Sequence, residues 1–115
     1  MIKLPLSLVL WARRKGIIGP AYHCIDVPES PLEHELQPLV VHREVRGGYP
    51  KWAHLSCPRC GEHIQLPIGG SKESWRLSVD WLHRPTLSPS IWELQSCRAH
   101  FIMQVGKLLW CRDDQ

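Results

Sequence analysis

Apolar and polar positions alternate over short stretches of this chain, and turn residues interrupt them often. Residues 5–15, PLSLVLWARRK, are an apolar run ending in a basic triplet and followed by Gly16. Pro5 suits a first helical position, the cations suit a last turn, and the glycine suits the stop, so the segment predicts a short helix. Leu6, Leu8 and Leu10 also alternate, which leaves a strand as the second reading. Residues 17–37 are rich in Pro and acids and read as irregular, with a short strand at Tyr22 to Val27. Residues 38–45, PLVVHREV, read as a strand that turns at Gly47-Gly48. A short approach then leads into a Cys turn and out along a strand, where Ile64 and Leu66 share one face and His63 and Gln65 the other.

Residues 75–81, WRLSVDW, alternate most clearly: Trp75, Leu77, Val79 and Trp81 against Arg76, Ser78 and Asp80. Pro85 and Pro89 are expected to break the chain around LSPS, with Ile91 and Trp92 beginning a further short element. HFIMQVGKLLWC reads as a hairpin turning near Gly106. The pattern predicts a mostly β fold, with a small α+β arrangement as its variant: short antiparallel strands closed by a C-terminal hairpin.

Composition changes this picture in three places. A chain of 115 residues suits one domain, here 1–115, with an apolar and basic element at 1–20 and a Cys-containing core at 50–112. Four basic residues (Lys3, Arg13, Arg14 and Lys15) and no acid fall in the first twenty positions, and the remainder is close to neutral. A near-neutral body argues against a broad nucleic-acid surface. The apolar run at Leu4–Trp11 is too short to span a bilayer, which takes about 20 residues. With an odd number of cysteines, this predicts a cytoplasmic protein with reduced thiols and no membrane association.

Those thiols carry the clearest chemistry. Cys57-Pro-Arg-Cys60-Gly has the spacing of a metal knuckle, and Cys97-Arg-Ala-His100 repeats it. Two such half-sites suit a single tetrahedral zinc held by Cys57, Cys60, Cys97 and His100, with Cys111 and then His63 as alternatives for the fourth place. Four protein ligands would leave no position for water, so the zinc would be structural. Its binding energy, about 10–16 kcal/mol apparent in zinc peptides, would then be folding energy. A redox role for the CxxC needs a βαβ setting, which a Pro-rich β chain does not offer. Cys24 reads as a small buried hydrophobe.

Catalytic motifs are missing from the sequence. Ser78, Ser88, Ser90 and several histidines are present, but no G-x-S-x-G elbow, H-E-x-x-H or Gly-rich phosphate loop accompanies them. The expected function is therefore a non-catalytic zinc module that docks a protein partner. Trp11 and Trp52, with the basic residues Arg13, Arg14 and Lys15, are its contact candidates, and Trp75, Trp81, Trp92 and Trp110 are assigned to the core. A nucleic-acid-binding zinc module is one alternative. A small enzyme using an open zinc site, or a free thiol at Cys111 or Cys24, is the other.

The stretch from His54 to Cys111 resembles an uncharacterised bacterial family of small zinc-binding proteins. The matching pieces are HLSCPRCGE, IQLPI, SWRLSVDW, LSPSIW, CRAHF and GKLLWC, in that order. The resemblance supports Cys57, Cys60, Cys97 and His100 as ligands, supports Cys111 in part and gives His63 no support. The family's Cys turn often holds a further Cys where this chain has Arg59. Its members are encoded beside ubiquitin-like conjugation components. That implies an accessory or ligase-like adaptor in a ubiquitin-like conjugation pathway of antiviral defence.

Overall fold

The computed structural model describes residues 3–70, 74–93 and 97–111. One helix, α1 (Leu6–Arg14), precedes eight strands: β1 (His23–Val27), β2 (Val40–Arg46), β3 (Tyr49–Ser56), β4 (His63–Pro67), β5 (Arg76–Val79), β6 (Pro85–Trp92), β7 (His100–Gln104) and β8 (Lys107–Trp110). They form two four-stranded sheets, ordered β1-β2-β3-β4 and β5-β6-β7-β8. The mostly β expectation holds. The pairings are antiparallel except β1 with β2, which is parallel and joined through a 3-10 turn at Glu33–Glu35.

A single cluster of buried side chains joins the sheets. The first sheet contributes Val41, Ala53, Leu55, Ile64 and Leu66, and the second Leu87, Ile91, Phe101 and Met103. Phe101, Leu55, Leu87 and Met103 are fully buried, each at 0% exposure. Burying side chains of this size stabilises the fold by roughly 1.5–3 kcal/mol apiece.

Local chemistry sets the turns as the sequence suggests. Gly47 and Gly48 both take positive φ between β2 and β3. Val105 and Gly106 do the same between β7 and β8, the conformation a two-residue hairpin favours. Gly106 also packs closely: a Cβ there would lie 2.8 Å from the carbonyl oxygen of Tyr22. Pro5 sits one position earlier than expected, as the extended N-cap of α1. A backbone bond from the Leu4 amide to the Trp81 carbonyl and a side-chain contact of His83 Nε2 with the Leu4 carbonyl tie the start of the chain to the β5–β6 turn.

Two expectations need correction. Pro85 and Pro89 do not break the chain, because β6 runs through both. Pro85 is its first residue, and Pro89 lies in a stretch where the ladder to β7 loses register. The tryptophans expected in the core are also largely outside it, with Trp81, Trp92 and Trp110 at 44%, 41% and 48% exposure. Alternation fails at Trp81 because β5 ends at Val79. The Asp80 carboxylate then accepts the amides of Leu82 and Arg84 and bends the chain. Trp75 does pack against the core cluster. Among the described residues, no helix is long and apolar enough to cross a membrane.

Candidate active site and metal centre

The β6–β7 ladder carries the feature that organises the site. Leu87 pairs with Met103 and Ile91 with Phe101, so Ser88, Pro89 and Ser90 lie opposite Ile102 alone. The Ser88–Pro89 peptide bond within this bulge is cis. A bulge re-aims the side chains it carries, and here Ser90 Oγ comes 3.0 Å from Nε2 of His100, the first residue of β7. Trp75, just before β5, steadies the bulge: its Nε1 donates to the Ser90 carbonyl at 3.3 Å. The Trp75 amide donates to the Pro67 carbonyl of the other sheet.

His100 is held on several sides. It is the cross-strand partner of Trp92, and the two rings stack with centroids 4.5 Å apart at 8°. Its carbonyl accepts the amide of Cys111 across the hairpin. Its Nδ1 is buried and has no hydrogen-bond partner among the described residues. A serine hydroxyl within reach of an imidazole nitrogen is the minimal arrangement for nucleophilic acyl transfer, the ring taking the hydroxyl proton as the oxygen attacks. The stacked face of Trp92 fixes the plane of that ring.

The metal centre is built from the turn after β3 and the loop that leads into β7. Cys57 follows β3 and begins a tight turn, in which the Gly61 amide bonds the Cys57 carbonyl and the Cys57 amide bonds the Glu62 carbonyl. Gly61 takes φ +81°, which its lack of a Cβ permits. The Arg59 amide points at Cys57 Sγ at 3.4 Å. Cys97 arrives from the β6–β7 loop, with its sulfur 3.5 Å from that of Cys57. The sulfurs of Cys57, Cys60 and Cys97 all lie within 4.8 Å of one another. Three converging thiols with an amide aimed at one sulfur fit a soft metal such as zinc.

The fourth residue chosen from spacing is placed elsewhere. His100 is not in the thiol group, because β7 begins at that residue and turns its ring across the sheet to Ser90. Cys111 is also outside the group, although its amide bonds the His100 carbonyl. His63 bonds His54 at 2.8 Å instead. Arg59 lies over the Trp110 ring, 4.9 Å from its centroid. Cys24 is buried, and burial pushes its thiol up to about 11, a poor nucleophile. Of the contact candidates, Trp11, Arg14 and Lys15 are exposed, whereas Arg13 and Trp52 are half-buried.

Sequence reasoning missed Ser90. Its surroundings gave little signal, because the same strand also holds Thr86 and Ser88, and the histidine lies nine residues beyond Ile91. A different serine, Ser30, donates to a carboxylate rather than a histidine: its Oγ lies 2.7 Å from Glu44 Oε1. Glu44 also accepts from Arg46 and meets the buried His54. This network anchors β2 to β3 and leaves Ser30 without a base.

Comparison with known proteins returns one result. A family model described as bacterial ubiquitination-like system serine protease (BubE) matches residues 27–111, which include Ser90, His100 and the three gathered cysteines. No curated protein and no solved structure matches. The ubiquitin-like setting expected from the sequence agrees with that description, but the non-catalytic adaptor does not, because the family is described as an enzyme. The same finding favours the small-enzyme alternative over the adaptor, with a serine protease in place of the zinc- or thiol-dependent chemistry expected. Since the match spans most of the chain, the protein belongs to the BubE family, the serine proteases of bacterial ubiquitination-like systems.

Proposed function

We propose that this protein is a serine protease that hydrolyses amide bonds made to, or within, the modifier of a bacterial ubiquitination-like system, with Ser90 as nucleophile and His100 as general base. The observation that carries this reading is the 3.0 Å approach of Ser90 Oγ to His100 Nε2 across the β6 bulge.

The chemistry follows from that pair. Ser90 Oγ attacks the scissile carbonyl while His100 Nε2 takes its proton. The amine leaves with that proton as the C–N bond breaks, and the acyl group remains on Ser90. Water then attacks the ester, again losing its proton to His100, and the carboxylate product departs with Ser90 restored. Stacking on Trp92 holds the imidazole in plane. Trp75 fixes the carbonyl of the nucleophile's own residue, so the hydroxyl is presented from a set backbone.

Cys57, Cys60 and Cys97 would hold a zinc ion with one further donor. Bound there, zinc would supply cross-linking rather than proton transfer: it would pin the β3–β4 turn to the loop that precedes His100. The reaction would take place in the cytoplasm, where thiols stay reduced and modifiers are conjugated.

The test uses the modifier of the same system, extended at its C-terminus by a short peptide, with release followed by mass spectrometry. The wild type and Ser88→Ala cleave at a defined bond, whereas Ser90→Ala does not. Cleavage by Ser90→Ala at the wild-type rate would contradict the assignment.

A further inference from the structure

The end of the second sheet far from Ser90 carries a second feature. A cavity of about 670 Å³ opens between the segment after α1 and the β7–β8 turn. Arg13, Arg84 and Lys107 line it, together with the apolar side chains of Ile18, Leu82 and Leu108, and no acidic residue is among its lining. Its floor is fixed backbone: Gly106 donates to the Pro85 carbonyl and accepts from the Tyr22 amide, both at 2.8 Å.

Arg13 gives the cavity its character. Its Nη2 makes a long bond of 3.4 Å to the Leu82 carbonyl. Its Nε and Nη1 are buried with no acceptor among the described residues. Buried donors without acceptors are rare and costly. Arg84 is anchored by Asp80, 2.7 Å from its Nε, so it is held in place beside Arg13 despite their like charge. Burial and the charge of Arg84 both lower the Arg13 pKa. An incoming anion would relieve both penalties at once.

We propose that this cavity binds an oxyanion, the phosphate or carboxylate group of a small molecule, with Arg13 and Lys107 as its cations and the apolar wall covering the rest of the ligand. The site is separate from the Ser90–His100 pair and does not depend on its assignment.

Calorimetric titration of the metal-loaded, full-length protein with inorganic phosphate and with acetate, at an ionic strength held constant with sodium chloride, tests this. At least one anion should bind saturably, and Arg13→Gln and Lys107→Gln should each weaken it at least tenfold. Binding of phosphate alone identifies a phosphoryl ligand, and binding of acetate as well extends the site to carboxylates. Lys107 is exposed, so its variant folds even if Arg13→Gln does not. No saturable binding of either anion, or a folded variant that binds as tightly as the wild type, would overturn the proposal.

Discussion

Ser90 Oγ and His100 Nε2 stand 3.0 Å apart because three residues of β6 bow out opposite one residue of β7. In regular register, Ser90 and His100 would sit on strands that simply pass one another. The bulge converts a structural serine position into one that faces a base. Serine position, base and stacking ring thus come from one antiparallel pair of strands, with Trp92 and His100 as cross-strand neighbours.

His100 separates the two roles that its position allows. As general base, its replacement by Gln lowers kcat by about 10³-fold or more, while metal content and melting temperature stay near those of the wild type. As a metal ligand, it would lose the ion together with the fold. Metal content by native mass spectrometry, measured beside activity on one sample, distinguishes these outcomes.

Trp92 is expected to act on rate rather than on fold. It is 41% exposed, so Trp92→Leu leaves the core intact. The stack it removes holds the base in plane, which predicts a fall in kcat of roughly 3- to 30-fold with KM little changed. An unchanged kcat would show that the indole does not position the imidazole.

Removal of the metal should unfold the protein. Apparent zinc-binding energies of about 10–16 kcal/mol match or exceed the roughly 5–15 kcal/mol net stability of a domain. Cys97→Ser, or a strong chelator, is therefore expected to abolish both metal binding and the cooperative melting transition. A chelated protein that melts as before would mean that the three thiols do not bear on folding.

Stability should fall on mild acidification, through histidines that the fold keeps neutral. Burial lowers the pKa of His42 below its ordinary 6.5 and outweighs an opposing backbone hydrogen bond at His54. His23 and His63 are lowered as well, again chiefly by burial. A base with a depressed folded pKa binds fewer protons folded than unfolded. Its contribution is thus complete above the ordinary value of 6.5 and is lost as pH falls through the folded pKa. Glu44 adds a second loss below its ordinary 4.5: burial alone would raise it, but bonds from Ser30, His54 and Arg46 outweigh that and hold it lower. Urea midpoints between pH 7 and pH 5 should decline in the wild type and decline less in His42→Phe. Parallel slopes would exclude His42.

Much of this architecture was legible because it rests on local chemistry. The helix at 6–14, the glycine turns at 47–48 and 106, and the convergence of Cys57, Cys60 and Cys97 each follow from residues close in sequence or from a spacing rule. The approach of Ser90 to His100 was not, because its geometry is a matter of register between strands. Pro85 and Pro89 read as breaks when a strand is considered alone, yet a bulge and a first position absorb both. The C-x-x-H spacing drew His100 toward the metal. Nothing local reports that β7 begins at that residue and turns its ring to the neighbouring strand. Trp81 failed for a similar reason, since an aspartate turn ended the alternation one position before it.

The central claim, that Ser90 is the nucleophile, is tested most directly by labelling the metal-loaded protein with a fluorophosphonate and mapping the modified peptide by mass spectrometry. The account predicts a single adduct on Ser90 that disappears in His100→Gln, a variant that still carries its metal. An adduct on another serine, or labelling of Ser90 that is indifferent to His100, would contradict it.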